Sequence, residues 1–265
     1  MILFRNLLVF VFFMLGHTMT WSEIDQHLVR SGSDIAWSVK QNNVDWNTSQ
    51  SASVMVLKNA KGATRRLDLD FKHMEVVDDG NQFLIVFNHP PDVKGTALLS
   101  HTHISRANDT WLYLPALKRV KRIVARDKSR PFMGSELTYE DLSSFEPDKY
   151  TFKLLRYETL ADMAMAVVEF VPQYNDSGYS RQEVWIDLEH YRMHKIRYFD
   201  PHGRLLKVQQ LSAYQRYLGT YWRAHHISVH NHQTGKLTVL KTDYFNFNIS
   251  LSASDFNKSR LYRIR

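Results

Sequence analysis

The sequence predicts a mainly β protein, a strongly curved antiparallel sheet with a few helices lying across its concave side. Three observations carry this. Apolar and polar residues alternate with period two through most of the chain. Turn-forming clusters of Gly, Asp, Asn, Pro and His separate these runs at hairpin distances. No ten-to-fifteen-residue helical pattern lies between successive runs, so a parallel βαβ sheet is excluded and an antiparallel meander remains. A sheet with an apolar face must still be covered, which is why helices are expected across the concavity.

The N-terminus, with one charge at Arg5 followed by LLVFVFFMLG, reads as a secretory signal peptide over residues 1–21, cleaved near Thr20 to Ser22. The apolar stretch falls short of the ~20 residues that a membrane span needs. An uncleaved anchor is the competing reading, because HTMTWSEID lacks a small-x-small cleavage site. Residues 22–265 then form one β domain with no evident linker or solenoid repeat. The segment WSEIDQHLVRSGSDIAWSVK suggests a helical opening, interrupted around Ser31 to Ser33.

After it the period changes. SASVMVLKNAKGATRRLDLDFKH is a hairpin turning at Asn59 to Gly62. NQFLIVFNHPPDVKGTALLSHTH is a strand, a Pro90-Pro91 break that cannot continue a ladder, and a strand from Gly95. DTWLYLP follows. The second half repeats the pattern, with its clearest turns at FDPHGRL and NHQTGKL. Covering elements are expected from the opening segment, from Ser135 to Phe145, and from the C-terminus, where Ser254 or Asp255 could cap a short helix that buries Phe256 and Leu261.

The chain has no cysteine, so it has neither a disulfide framework nor a site for a lipidated cysteine. Its net charge is +7 and its pI about 9.4. In an exported protein, expected in the periplasm, this basicity suits an anionic membrane surface, a lipid head group or an acidic partner. Nucleic acid is excluded as a partner by export. There is no Gly-x-Ser-x-Gly elbow, phosphate-binding loop, dinucleotide fingerprint or His-Glu-x-x-His, so neither an enzymatic activity nor a cofactor is expected. His101 with His103, and His226 with His230 and His232, could each share a strand face, but solvated or partner-facing histidines are the better reading and no metal site is assigned. Glu136, Glu140 and Asp141 could do acid-base work. Ion pairing, with Arg126, Lys128 and Arg130 near in sequence, explains them better.

In DTWLYLPALKRVKRI, Trp111 and Tyr113 project to one side of a strand and Leu112 and Leu114 to the other, so the strand is buried on both faces or lines a cavity. Lys118, Arg119, Lys121 and Arg122 follow as a solvated face or as a basic rim beside an apolar interior, which would suit an amphiphile with an anionic head. Candidate wall residues are Trp111, Leu114, Met163, Met165, Phe170, Trp185 and Ile186, with Phe132 and Met133 as a lid hinged near Gly134; for each, ordinary core packing is the competing explanation.

VKGTALLSH, DTWLYLPALKRVKRI and RPFMGSELTYEDLSSF, in that order between Val93 and Phe145, resemble the outer-membrane lipoprotein-sorting-protein-like family, relatives of the periplasmic lipoprotein carrier LolA. The resemblance implies an incomplete β-barrel whose apolar concavity holds the acyl chains of a lipid or lipoprotein. It also implies a carrier or chaperone role beside an inner-membrane exporter of the resistance-nodulation-division type, or delivery to an outer-membrane acceptor. The alternative it implies is a regulatory module sensing lipid or peptide, resembling RseB.

Overall fold

A computed structural model describes residues 30–264; the signal-peptide reading and most of the opening segment fall outside the described residues. Among the described residues one helix, α1 (Gly32–Gln41), precedes the sheet. The first half of the sheet comprises β1 (Thr48–Lys58), β2 (Thr64–Met74), β3 (Gln82–His89), β4 (Ala97–His101), β5 (Asp109–Leu114) and β6 (Arg119–Arg122). The second half comprises β7 (Tyr150–Leu160), β8 (Met163–Pro172), β9 (Arg181–Asp187), β10 (Met193–Phe199), β11 (Leu205–Tyr217), β12 (Tyr221–Asn231) and β13 (Leu237–Phe247).

These make one 13-stranded sheet in the order β6-β5-β4-β3-β2-β1-β13-β12-β11-β10-β9-β8-β7, every pairing antiparallel. Two meanders meet at the centre where β1 pairs with β13. The outer edges, β6 and β7, are consecutive in the chain and do not pair, so the sheet is an incomplete barrel. The chain between them, residues 123–149, crosses the inner face.

Register defines that face, because cross-strand partners share a side. It runs from Leu112, Leu98, Ile85 and Phe71 in the first half, through Met55 and Leu240 at the centre, to Ile196, Val184, Val168 and Leu154 in the second. In the first half it is filled by the crossing segment, whose Phe132, Leu137, Tyr139 and Leu142 pack with Leu67, Leu69, Ile85, Phe87 and Leu98. Lys207 of β11 pins that segment, donating to the Glu136 carbonyl at 2.8 Å and pairing with the Asp141 carboxylate, both side chains almost wholly buried. In the second half α1 lies on the inner face, with Ile35 and Ala36 against Ala166, Val168 and Ile186.

Helix α1 begins where the sequence reading placed an interruption. The Ser31 hydroxyl accepts from the Asp34 N–H at 3.1 Å and the Asp34 carboxylate accepts from the Ser31 N–H at 3.0 Å, a reciprocal cap that starts a helix. Ser135 to Phe145 covers the sheet as expected, but as a turn-rich loop rather than a helix. Its own side chains take the backbone groups that a helix would use. Ser135 Oγ donates to the Phe132 carbonyl, Asp141 accepts from the Thr138 N–H, and Thr138 Oγ1 accepts from the Asp141 N–H. The expected C-terminal cover is present as two 3-10 turns, Ala253–Phe256 and Lys258–Arg263, the first capped by Ser252 and Asp255, but not on the concave side. They cover the outer face, where Phe256 and Leu261 pack on Leu84, Leu99 and Tyr113. β5 is buried on both faces, Trp111 and Tyr113 outward and Leu112 and Leu114 inward.

Candidate ligand-binding cavity

The crossing segment fills the inner face of only one half of the sheet. Over the other half a cavity of about 570 Å³ remains, within the usual size of small-molecule sites. Its wall is built by inward positions of successive strands: Tyr150 of β7, Phe170 of β8, Gln182 and Val184 of β9, Met193, Ile196 and Tyr198 of β10, and Gln209 and Leu211 of β11. Phe145, from the end of the crossing segment, stacks on Phe170 with ring centroids 5.4 Å apart, and Phe152 meets Phe170 edge-on at 4.8 Å.

Polar atoms interrupt this surface at few places. Tyr198 Oη donates to Gln209 Oε1 at 3.0 Å. Tyr150 Oη pairs with Tyr174 Oη at 3.2 Å, and burial pushes the Tyr150 phenol up to about 12.

The exposed lining residues mark the mouth: Ser105, Arg106 and Ala107 from the β4–β5 loop, Asp148 before β7, and Gln173, Asn175 and Asp176 from the β8–β9 loop. Both loops are tethered. Asp79 accepts from the Ile104 N–H at 2.9 Å and contacts His103 Nδ1 at 2.6 Å. Burial opposes ionisation of Asp79, but the His103 ring and the N–H groups of Ile104 and Gly80 outweigh it and hold the carboxyl at about 2. The β8–β9 loop is held by Glu140 of the crossing segment, which accepts from Tyr174 Oη at 2.5 Å, Ser177 Oγ at 2.6 Å and the Gly178 N–H at 2.9 Å. Burial raises the Glu140 carboxyl above its ordinary value in spite of these donors. Gly178 is required here, since a Cβ on it would lie 2.7 Å from Cβ of Ser129. Arg106 is engaged by Asp109 at 2.8 Å; Lys128 and Lys149 are half-buried cations on the same lining.

A family model described only as an uncharacterized protein matches residues 79–263. The decisive likeness is to an outer membrane lipoprotein-sorting protein domain from Vibrio parahaemolyticus, 46% identical, covering 88% of this chain and 98% of that one with a TM-score of 0.86. The chain belongs to the outer-membrane lipoprotein-sorting-protein-like, LolA-like family. A DUF1329 family protein from Desulfovibrio piger is 27% identical over 87% of this chain and 97% of its own, with a TM-score of 0.82. A LolA superfamily protein from Nitrosomonas europaea shares the fold at 17% identity, covering 87% and 99% with a TM-score of 0.69. No curated protein sequence matches. Family membership agrees with the incomplete barrel that the resemblance implied.

Against this LolA-like framework the residues singled out from the sequence divide by face. Phe170 lies on the cavity wall. Ile186 is on the same face but beneath α1, and Leu114 faces the filled half. Phe132 is fully buried between Phe87 and Tyr139, with ring centroids 5.6 Å from each, and Met133 packs beside it at a positive φ of 50°. Met163, Met165 and Trp185 lie on the opposite face from Phe170, packed with one another and Val167. There Trp185 Nε1 donates to Glu158 at 2.5 Å. Trp111 also faces outward, edge-on to His101. Lys118, Arg119, Lys121 and Arg122 are exposed on and beside the edge strand β6, and Arg122 pairs with Asp109.

The wall residues Tyr150, Tyr198, Ile196 and Leu211 were missed by sequence reasoning. Their signal is parity: each is linked by register to the inward side that includes Phe170. The acidic residues that sequence proximity would pair with Arg126, Lys128 or Arg130 are held by other groups: Asp141 by Lys207, Glu136 by Asn231 at 2.6 Å, and Glu140 by the β8–β9 loop. Among the described residues no group of three or more His, Cys, Asp or Glu side chains could hold a metal ion. His101 contacts the Phe256 carbonyl at 2.8 Å, and His226 faces Ser212. Among them, too, no helix is long and apolar enough to cross a membrane.

Proposed function

We propose that the protein is a periplasmic carrier that holds acyl chains of a lipid or lipoprotein in the cavity under β7 to β11. The observation that supports this most is the unfilled inner face. The chain packs its own Phe132, Leu137 and Leu142 into one half of the sheet and leaves the other half lined by aromatic and aliphatic side chains around about 570 Å³. Transfer of a chain into such a space releases about 0.8 kcal/mol per methylene, so one acyl tail supplies the greater part of a useful affinity. The reading assigns the protein no bond-making chemistry. Release then requires a membrane partner, of the resistance-nodulation-division exporter type at the inner membrane or an acceptor at the outer one. The exposed cations Lys118, Arg119 and Lys121 belong in this reading to docking on that partner or its membrane.

Leu211→Trp tests the placement of the chain. The substitution puts an indole into the cavity from β11, and a fluorescent fatty acid should bind the variant about tenfold or more weakly than wild type while the melting temperature stays within a few degrees. Equal binding by the two proteins would place the lipid elsewhere.

A further inference from the structure

We infer that the cavity mouth is a subsite for the anionic head of an amphiphile, built from Lys128 and Lys149, so that the cargo is an anionic lipid whose tail enters the cavity and whose phosphate stays at the lip. The inference rests on the carrier reading and narrows it to a class of ligand.

The two lysines come from opposite ends of the crossing segment, and both line the cavity. Neither forms an ion pair among the described residues, although the chain pairs most of its other partly buried cations. Lys40 pairs with Glu146, Arg192 with Asp187 and Lys207 with Asp141. Lys149 Nζ donates only to the neutral Asn108 amide oxygen at 2.7 Å. Burial lowers the proton affinity of both amines; Glu140 and, more weakly, Asp109 and Asp176 act against this at Lys128, and Glu146 acts against it at Lys149, where the charge of Lys128 lowers it further. Two half-buried ammonium groups that no carboxylate contacts directly are relieved by an anion that reaches both.

The acidic groups nearby form no ion pair with either amine: Glu146, whose charge acts on Lys149, is taken by Lys40 at 2.8 Å. Asp141 is taken by Lys207 and by Tyr179 Oη at 2.7 Å, and Glu140 by its three donors. Asp148 and Asp176 lie exposed at the outer lip, where water solvates them. Arg106 is held by Asp109. The order from solvent inward is therefore an exposed polar lip, two half-buried amines and the aromatic wall. An amphiphile presents its solvated head, its phosphate and its chain in the same order.

Three ligands separate the possibilities: lysophosphatidylglycerol, a monoacylglycerol of the same chain, and glycerol phosphate, each titrated below its critical micelle concentration at low salt. Wild type should bind the lysophospholipid about tenfold more tightly than the neutral lipid, and that preference should shrink as salt is added. Lys128→Gln with Lys149→Gln should abolish the preference and leave monoacylglycerol affinity unchanged, whereas Lys61→Gln, at an exposed turn, should change neither. Equal affinity of wild type for the two lipids, or a preference that survives the double substitution, would overturn the head-group inference and leave the carrier reading standing. Binding of glycerol phosphate as tightly as the lysophospholipid would make this a free-phosphate site and overturn the inference too. Failure of both lipids to bind would remove the carrier reading itself.

Discussion

His73 shows what this sheet does to a single titratable residue. It lies on the inward side of β2 between Phe71, stacked at 6.0 Å, and Phe83, with Trp46 edge-on at 6.4 Å. Burial, and secondarily the charge of Arg223, lowers its pKa from 6.5 to about 4. The unfolded chain therefore takes up a proton at this position before the folded one does. The associated stability is complete above about pH 6.5 and is lost as pH falls towards 4, a change of about 2–3 kcal/mol. Urea denaturation at pH 7 and pH 5 should show that loss in wild type and a smaller one in His73→Phe; identical losses would mean that His73 titrates normally. The residue scale is also where sequence reading failed most. Trp185 and Ile186 are adjacent in a strand and so cannot share a face, and Met163 and Met165 differ in parity from Phe170 across an unbroken β8. Residue type marked all five as apolar, and only register tells inside from outside.

At the scale of elements, the strands and turns were legible because hairpin signals are local. The turns at Asn59, at Asp200 to Arg204 and at Asn231 to Lys236 lie where glycine and Asx chemistry put them. What the sequence concealed was cover. Ser135 to Phe145 has the spacing of a short helix, but its Ser, Thr and Asp side chains compete for the backbone. The docking of α1 depends on a feature no periodicity reveals: a Cβ on Gly32 would lie 2.6 Å from the Leu154 nitrogen of β7. Gly32→Ala should therefore destabilise the protein by about 1–3 kcal/mol, opposite in sign to the gain of about 1 kcal/mol expected from helix propensity alone. Chemical denaturation decides it, and a stabilised variant would show that α1 does not bear on β7 as described.

For the whole molecule, the consequential feature is an asymmetry that composition cannot reveal. Edge strands β6 and β7 are neighbours in the chain, so the segment joining them must cross the opening, and it fills one half of the inner face, while α1 covers part of the other and leaves a lined cavity beside it. Length and alternation predict a curved sheet. They do not say which half the crossing segment occupies, because that depends on the contacts of Phe132 with Phe87 and of Lys207 with Asp141 and the Glu136 carbonyl. The carrier reading follows from that cavity, and native mass spectrometry of the mature protein, purified from a bacterial periplasm without detergent and then extracted with solvent, tests it most directly. The account predicts a species heavier than the apo chain by about one lipid, from which extraction recovers an acylated molecule. An apo mass that also stays unchanged after lipid is added would contradict it, and would leave the cavity as an internal space with no cargo.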